Sequence, residues 1–125
     1  MNKYWLALAL TLITPQVFAQ VSAEMALPGC KKLITDAEMD TEQAFCMGWV
    51  DAAVKTAAIH AGHLGDNKGM AFCLPADASF QQVIKVIIKG LEDDPASLHK
   101  DFGVLATVHL SLSFPCEAKA KGVQS

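Results

Sequence analysis

The chain of 125 residues contains no arginine; its ten basic residues are all lysine, set against thirteen acids. An acidic chain without arginine lacks both the basic footprint that phosphate backbones demand and the planar fork that reads guanine, so no nucleic-acid partner is expected. No uncharged apolar run approaches the roughly 20 residues needed to cross a bilayer. The four cysteines, Cys30, Cys46, Cys73 and Cys116, include no closely spaced pair of the zinc-site kind. Internal repeats, low-complexity tracts and a catalytic constellation are also missing. These absences point away from an enzyme and toward a binding domain, with no cofactor and no metal.

What is present begins with an export signature. Lys3 supplies a positive start, Tyr4 to Thr14 is an uncharged and mostly apolar run, and Pro15 breaks it before Val17-Phe18-Ala19. This pattern predicts a signal peptide over residues 1–19, cleaved after Ala19. Leu27-Pro28-Gly29-Cys30 superficially resembles a lipoprotein box, but it lies far beyond the apolar run with Glu24 between them. No lipid anchor, and no membrane association after cleavage, is expected. Residues 20–125 carry nine lysines and all thirteen acids, a formal charge of −4, which suits a basic protein partner. Their length fits one domain with a modest core, taken as 20–116, followed by a polar tail over 117–125 expected to be flexible.

An even number of cysteines in an exported chain reads as two disulfides in an oxidising compartment. The segments between them read as helices. Gln20 to Pro28 is expected as a loose lead-in, with a short helix through Gly29 to Ile34. Asp40 with Gln43 three residues later forms a capping box and predicts a long helix starting there. Along it Phe45, Cys46, Trp49, Val50, Ala53, Val54, Ala57 and Leu64 share one broad apolar arc, while Asp51 and Lys55 fall opposite as a solvated i,i+4 pair. Gly48 and Ala52 form a smooth strip on this helix, expected to be a close-packing site because a mid-helix Gly otherwise costs ~1 kcal/mol relative to Ala.

Gly62 and Gly65 end that helix. Phe72-Cys73-Leu74-Pro75 is an extended entry to the next, with Leu74 pushed from helical angles by Pro75. Pro75 is grouped with Gly48 and Trp49 as a packing residue. Ser79 with Gln82 predicts a second cap, and Phe80, Val83, Ile84, Ile87, Ile88 and Leu91 follow at helical spacing. Asp94-Pro95 suits a cap and first-turn proline for a segment through His99, and Gly103 is expected to separate it from the last segment. There Val108 to Phe114 alternates like a strand while Phe102, Leu105, Val108 and Leu112 recur like a helix. With no other convincing strand to pair with, helix is expected. The fold class is all-α, a small bundle of about four to five helices with two disulfides. If the two late segments run antiparallel, Cys73 lies beside Cys116, and Cys30 and Cys46 lie on helices joined by a short connection. This gives Cys30–Cys46 and Cys73–Cys116, one of three connectivities.

Two clusters invite a functional reading. His60 and His63 share a helical face near Asp66, yet a metal site needs three or four ligands and the histidines continue the apolar stripe. Glu92-Asp93-Asp94, with Asp101 close behind, puts negative charge at a helix end, against its dipole. This fits an exposed acidic loop, stiffened by Pro95, that enters a partner's cleft. It also fits a plainer arrangement in which Asp94 caps the next segment and the other acids are solvated.

Cys46-Met47-Gly48-Trp49-Val50, Phe72-Cys73-Leu74-Pro75, the helix from Ser79 to Leu91 with Asp94-Pro95 after it, and Phe114-Pro115-Cys116 occur in an order that resembles the Rap/Tai family of immunity proteins associated with type VI secretion. Trp49 stands where that family usually has Tyr, and Ala52 where a second Gly is common. The resemblance implies a small helical periplasmic domain, often a homodimer, that binds and blocks a peptidoglycan-cleaving amidase toxin. It further implies that a loop between late helices plugs the effector's cleft. Here that loop spans Glu92 to Asp101, with Glu92, Asp93, Asp94, Ser97, His99 and Asp101 as partner-binding residues. The alternative is a periplasmic helical chaperone of the acid-resistance type.

Overall fold

The computed structural model describes residues 20–35, 38–60 and 70–116. The expected signal peptide and tail, together with His63, Leu64 and Asp66, lie outside them. Four α-helices are present among the described residues: α1 Ala23–Leu33, α2 Thr41–Ile59, α3 Phe80–Asp93 and α4 Phe102–Ser113, with a 3-10 turn at Pro95–Ser97 between the last two. The segment that alternates like a strand is helical, and no described helix is long and apolar enough to cross a membrane.

The start of α1 departs from the expected loose lead-in. Ser22 caps it, its hydroxyl accepting from the Met25 N–H at 3.4 Å, and Pro28 lies inside the helix. A proline there removes the bond to the carbonyl four residues back and normally costs about 3 kcal/mol. Burial of Ala23, Ala26, Gly29 and Cys30 along one face offsets that cost. The helix then packs closely on α2: the Cys30–Cys46 disulfide joins them with Cα atoms 5.3 Å apart, and a Cβ on Gly29 would overlap the Glu42 carbonyl group.

α2 opens on the expected capping box, with the Gln43 N–H donating to Asp40 Oδ1 and the Asp40 N–H to Gln43 Oε1, both at 2.8 Å. Lys32 of α1 reaches Asp40 and Glu42 at 3.0 Å each. The Gln43 hydrogen bond foremost, then the Lys32 ammonium, hold the Asp40 carboxyl below its ordinary range. Cys46, Val50 and Ala57 are buried, and Asp51 pairs with Lys55 at 2.7 Å on the solvent side. Gly48 is exposed, and a Cβ there would meet nothing within 4 Å. The expected close-packing role is therefore not filled among the described residues. Trp49 is half-buried, edge-on to Phe102 at 5.3 Å, and Phe45 lies 5.7 Å from the same ring. Pro75 is exposed too. It bounds an apolar groove with Val54, Ala57, Leu74 and Ala78, and its carbonyl accepts from the Ala78 N–H at 3.1 Å, so its role is a turn and not core packing.

α3 is capped by Ser79, which accepts from the Gln82 N–H at 3.1 Å, and it buries Val83, Ile84, Ile87, Ile88 and Leu91. α4 lies beside it. Gly90 makes this possible, because a Cβ there would run into the His109 imidazole. Cys73–Cys116 closes the far end with Cα atoms 4.8 Å apart, and the Cys73 N–H donates to the Phe114 carbonyl at 2.8 Å. α4 buries Phe102, Leu105, Ala106 and Leu110, whereas Val108 and Leu112 are exposed, Leu112 by 74%. Gly103 does not separate two segments; the boundary falls at Asp101, and Gly103 sits within α4 against Trp49. Both disulfides have the expected pairing, and all four cysteines are consumed.

Candidate partner-binding loop

The acidic stretch begins where α3 runs out of apolar residues. Leu91 is the last buried side chain, and Glu92 and Asp93 emerge into solvent. Their charges oppose the helix dipole and are partly offset by lysines: Glu92 pairs with Lys31 of α1 at 2.7 Å, and Asp93 with Lys89 at 2.8 Å. The bond from Lys89 to Asp93 holds that ammonium above its ordinary value. These are exposed pairs and contribute little to stability.

From Asp94 to Asp101 the backbone is tied to itself. The Ser97 N–H donates to the Asp94 carbonyl at 3.2 Å and the Lys100 N–H to the Ser97 carbonyl at 2.9 Å, around the 3-10 turn opened by Pro95. Leu98 turns inward against the core. Asp94 makes no side-chain cap to this turn, contrary to the simple capping arrangement. Asp101 instead supplies a cap, its carboxylate accepting from the Val104 N–H at 3.0 Å to start α4. The six sequence-named residues thus divide by duty. Glu92, Asp93 and His99 are exposed, Asp94 and Ser97 are half-buried, and Asp101 is committed to its helix.

A second strand of chain, absent from the sequence-based set, holds the loop from outside. The Ala23 N–H donates to the Lys100 carbonyl and the Glu24 N–H to the Leu98 carbonyl, both at 2.9 Å, while the Phe102 N–H donates to the Val21 carbonyl at 2.8 Å. Ser22 and Asp101 form an antiparallel bridge. The first amides of α1, which have no partner within their own helix, are thus satisfied by the loop. Ser22 followed by Glu24 in the first turn is a helix-start signal that the expectation of a loose lead-in did not use.

His60 ends α2, half-buried. Among the described residues no group of three or more His, Cys, Asp or Glu is arranged to hold a metal ion. What the arrangement offers is an acidic element whose backbone is hydrogen-bonded on both sides.

A family model of the Rap1a immunity proteins matches residues 22–116, from the Ser22 cap through the last disulfide cysteine. The chain belongs to this family. No curated protein and no solved structure matches it at a significant level. Membership in the Rap1a immunity proteins carries the coarse function, binding of a cognate effector protein, in a family that is not typically enzymatic.

Proposed function

We propose that this protein is a periplasmic immunity protein that binds and inhibits a peptidoglycan amidase toxin delivered by type VI secretion. The observation that carries this reading is the loop from Glu92 to Asp101, which projects acidic and polar side chains from a backbone fixed on both sides. An ordered loop loses little conformational entropy on docking, which favours tight binding. Its charge suits a cleft with basic walls. Glu92, Asp93, Asp94, Ser97 and His99 are the contact residues, and Asp101 maintains the loop's exit into α4. The two disulfides suit the oxidising periplasm, where such a toxin acts. A homodimer fits the exposed apolar ridge of Val104, Val108 and Leu112 on α4.

The chaperone alternative requires apolar surface released by partial unfolding, which two disulfides across both helical hairpins oppose. The test is inhibition of peptidoglycan hydrolysis by a panel of purified type VI amidase effectors, titrated with the oxidised protein. Stoichiometric inhibition of one of them at neutral pH is expected. Inhibition of none, with suppression of aggregation of unrelated proteins at low pH, would favour the chaperone.

A further inference from the structure

We infer that the segment from Val21 to Glu24 is the positioning element of the binding loop, acting on it through main-chain hydrogen bonds. This rests on the reading of the loop as the effector-binding element. The loop's own bonds, Ser97 to Asp94 and Lys100 to Ser97, shape its tip but do not fix it against the bundle. The anchoring bonds come from the start of α1. Ala23 and Glu24 hold the Lys100 and Leu98 carbonyls, and Val21 holds the Phe102 amide, bracketing His99 on both sides. Leu98 is the loop's side-chain anchor in the core, and the Lys31–Glu92 pair ties the other end of α1 to the point where the loop departs. α1 itself is fastened to α2 through Cys30–Cys46. The orientation of the loop is therefore set by a segment more than seventy residues earlier in the chain.

Ala23 allows a clean test, because it is the first residue of α1 and the residue before it is extended, with φ −70° and ψ 155°. Proline is favoured at that helix position and requires an extended predecessor. Ala23→Pro thus preserves the helix start while deleting the N–H and placing a ring carbon against the Lys100 carbonyl. Ala23→Gly keeps the N–H at a greater cost to the helix. Because Ala23 is buried, the ring carbons also crowd the core, so the roles are told apart by where exchange rises: a merely structural role raises it across the Ile84–Leu91 amides as well, and a positioning role raises it at Lys100 and Phe102 with those core amides unchanged.

Amide hydrogen exchange and amidase inhibition are measured on the oxidised full-length chain and both variants, with Asp93→Ala/Asp94→Ala/His99→Ala in parallel. Ala23→Pro should raise exchange at Lys100 and Phe102 about tenfold, as expected for the loss of roughly one net hydrogen bond, and leave the Ile84–Leu91 amides unchanged. Inhibition should weaken by a similar factor, with Ala23→Gly close to the unaltered protein. Equal effects of proline and glycine, or unchanged Phe102 exchange in Ala23→Pro, would overturn the inference. If the triple variant loses inhibition while a folded Ala23→Pro keeps it, the inference falls and the loop reading stands. If the triple variant inhibits fully, the loop reading falls and takes the inference with it. Should Ala23→Pro not fold, the unaltered protein decides: Ala23, Glu24 and Phe102 amides should share one opening constant, and a Phe102 amide that opens separately contradicts the coupling.

Discussion

Replacing Gly48 with alanine should stabilise the protein. The position lies well inside the nineteen-residue α2, is exposed, and offers a new methyl no neighbour within 4 Å among the described residues. No packing penalty enters, and the gain reduces to the backbone difference between Gly and Ala in an exposed helix interior, about 0.8–1.0 kcal/mol. For a domain of roughly 100 residues that corresponds to a Tm higher by about 4–8 °C. Urea unfolding of the oxidised protein, followed by far-UV circular dichroism, measures the difference directly. The result that refutes the reasoning is a loss of more than ~0.5 kcal/mol. A loss that grows with protein concentration would mean that another molecule packs on the Gly48–Ala52 strip, restoring the close-approach role at an intermolecular contact.

The remaining predictions draw on neighbouring parts of the fold. Gly90→Ala should destabilise by about 1–3 kcal/mol, since the new methyl meets the His109 ring and the α3–α4 hairpin has to shift; equal or greater stability in urea would contradict the packing described. The two disulfides close 16 and 43 residues, so Cys30→Ser/Cys46→Ser should cost about 3 kcal/mol and Cys73→Ser/Cys116→Ser about 4 kcal/mol. A reversed order in chemical unfolding would show that loop closure does not govern them. Because the folded Asp40 carboxyl titrates below its ordinary value, its contribution is fully present above the unfolded pKa near 4 and is lost as pH falls through the lower folded one. Asp40→Asn should therefore flatten the fall in stability below about pH 4, and an unchanged acid limb would remove Asp40 from the account.

Much of this architecture was legible because its signals are local. Asp40 with Gln43 and Ser79 with Gln82 mark helix starts within four residues, and the apolar repeat from Val83 to Leu91 fixes the buried face of α3. The pairing of cysteines followed from helical hairpins alone. The unread features depend on partners distant in sequence. The expected loose lead-in over Gln20 to Pro28 is instead the first part of a helix whose first amides donate to the Leu98 and Lys100 carbonyls and which Cys46 ties down. α4 is apolar nearly all round, so its pattern could not tell Ala106 and Leu110, which are buried, from Val108 and Leu112, which are not. Gly48 with Ala52 reads as a smooth strip for a neighbouring helix, and only the arrangement of the other described helices shows that none of them lies on it. At the loop, the acids and Pro95 located the element, while the division between exposed side chains and the Asp101 cap required the geometry.

The central claim is that the Glu92–Asp101 loop blocks an amidase toxin. Its most direct test is inhibition of the effector by the oxidised protein and by Asp93→Ala/Asp94→Ala/His99→Ala, three substitutions that leave the buried core untouched. The account predicts stoichiometric inhibition by the unaltered protein and, with the unfolding midpoint little changed, inhibition weakened at least about a hundredfold by the triple variant, as for the loss of about 3 kcal/mol at an interface centre. Full inhibition by a folded triple variant would contradict it.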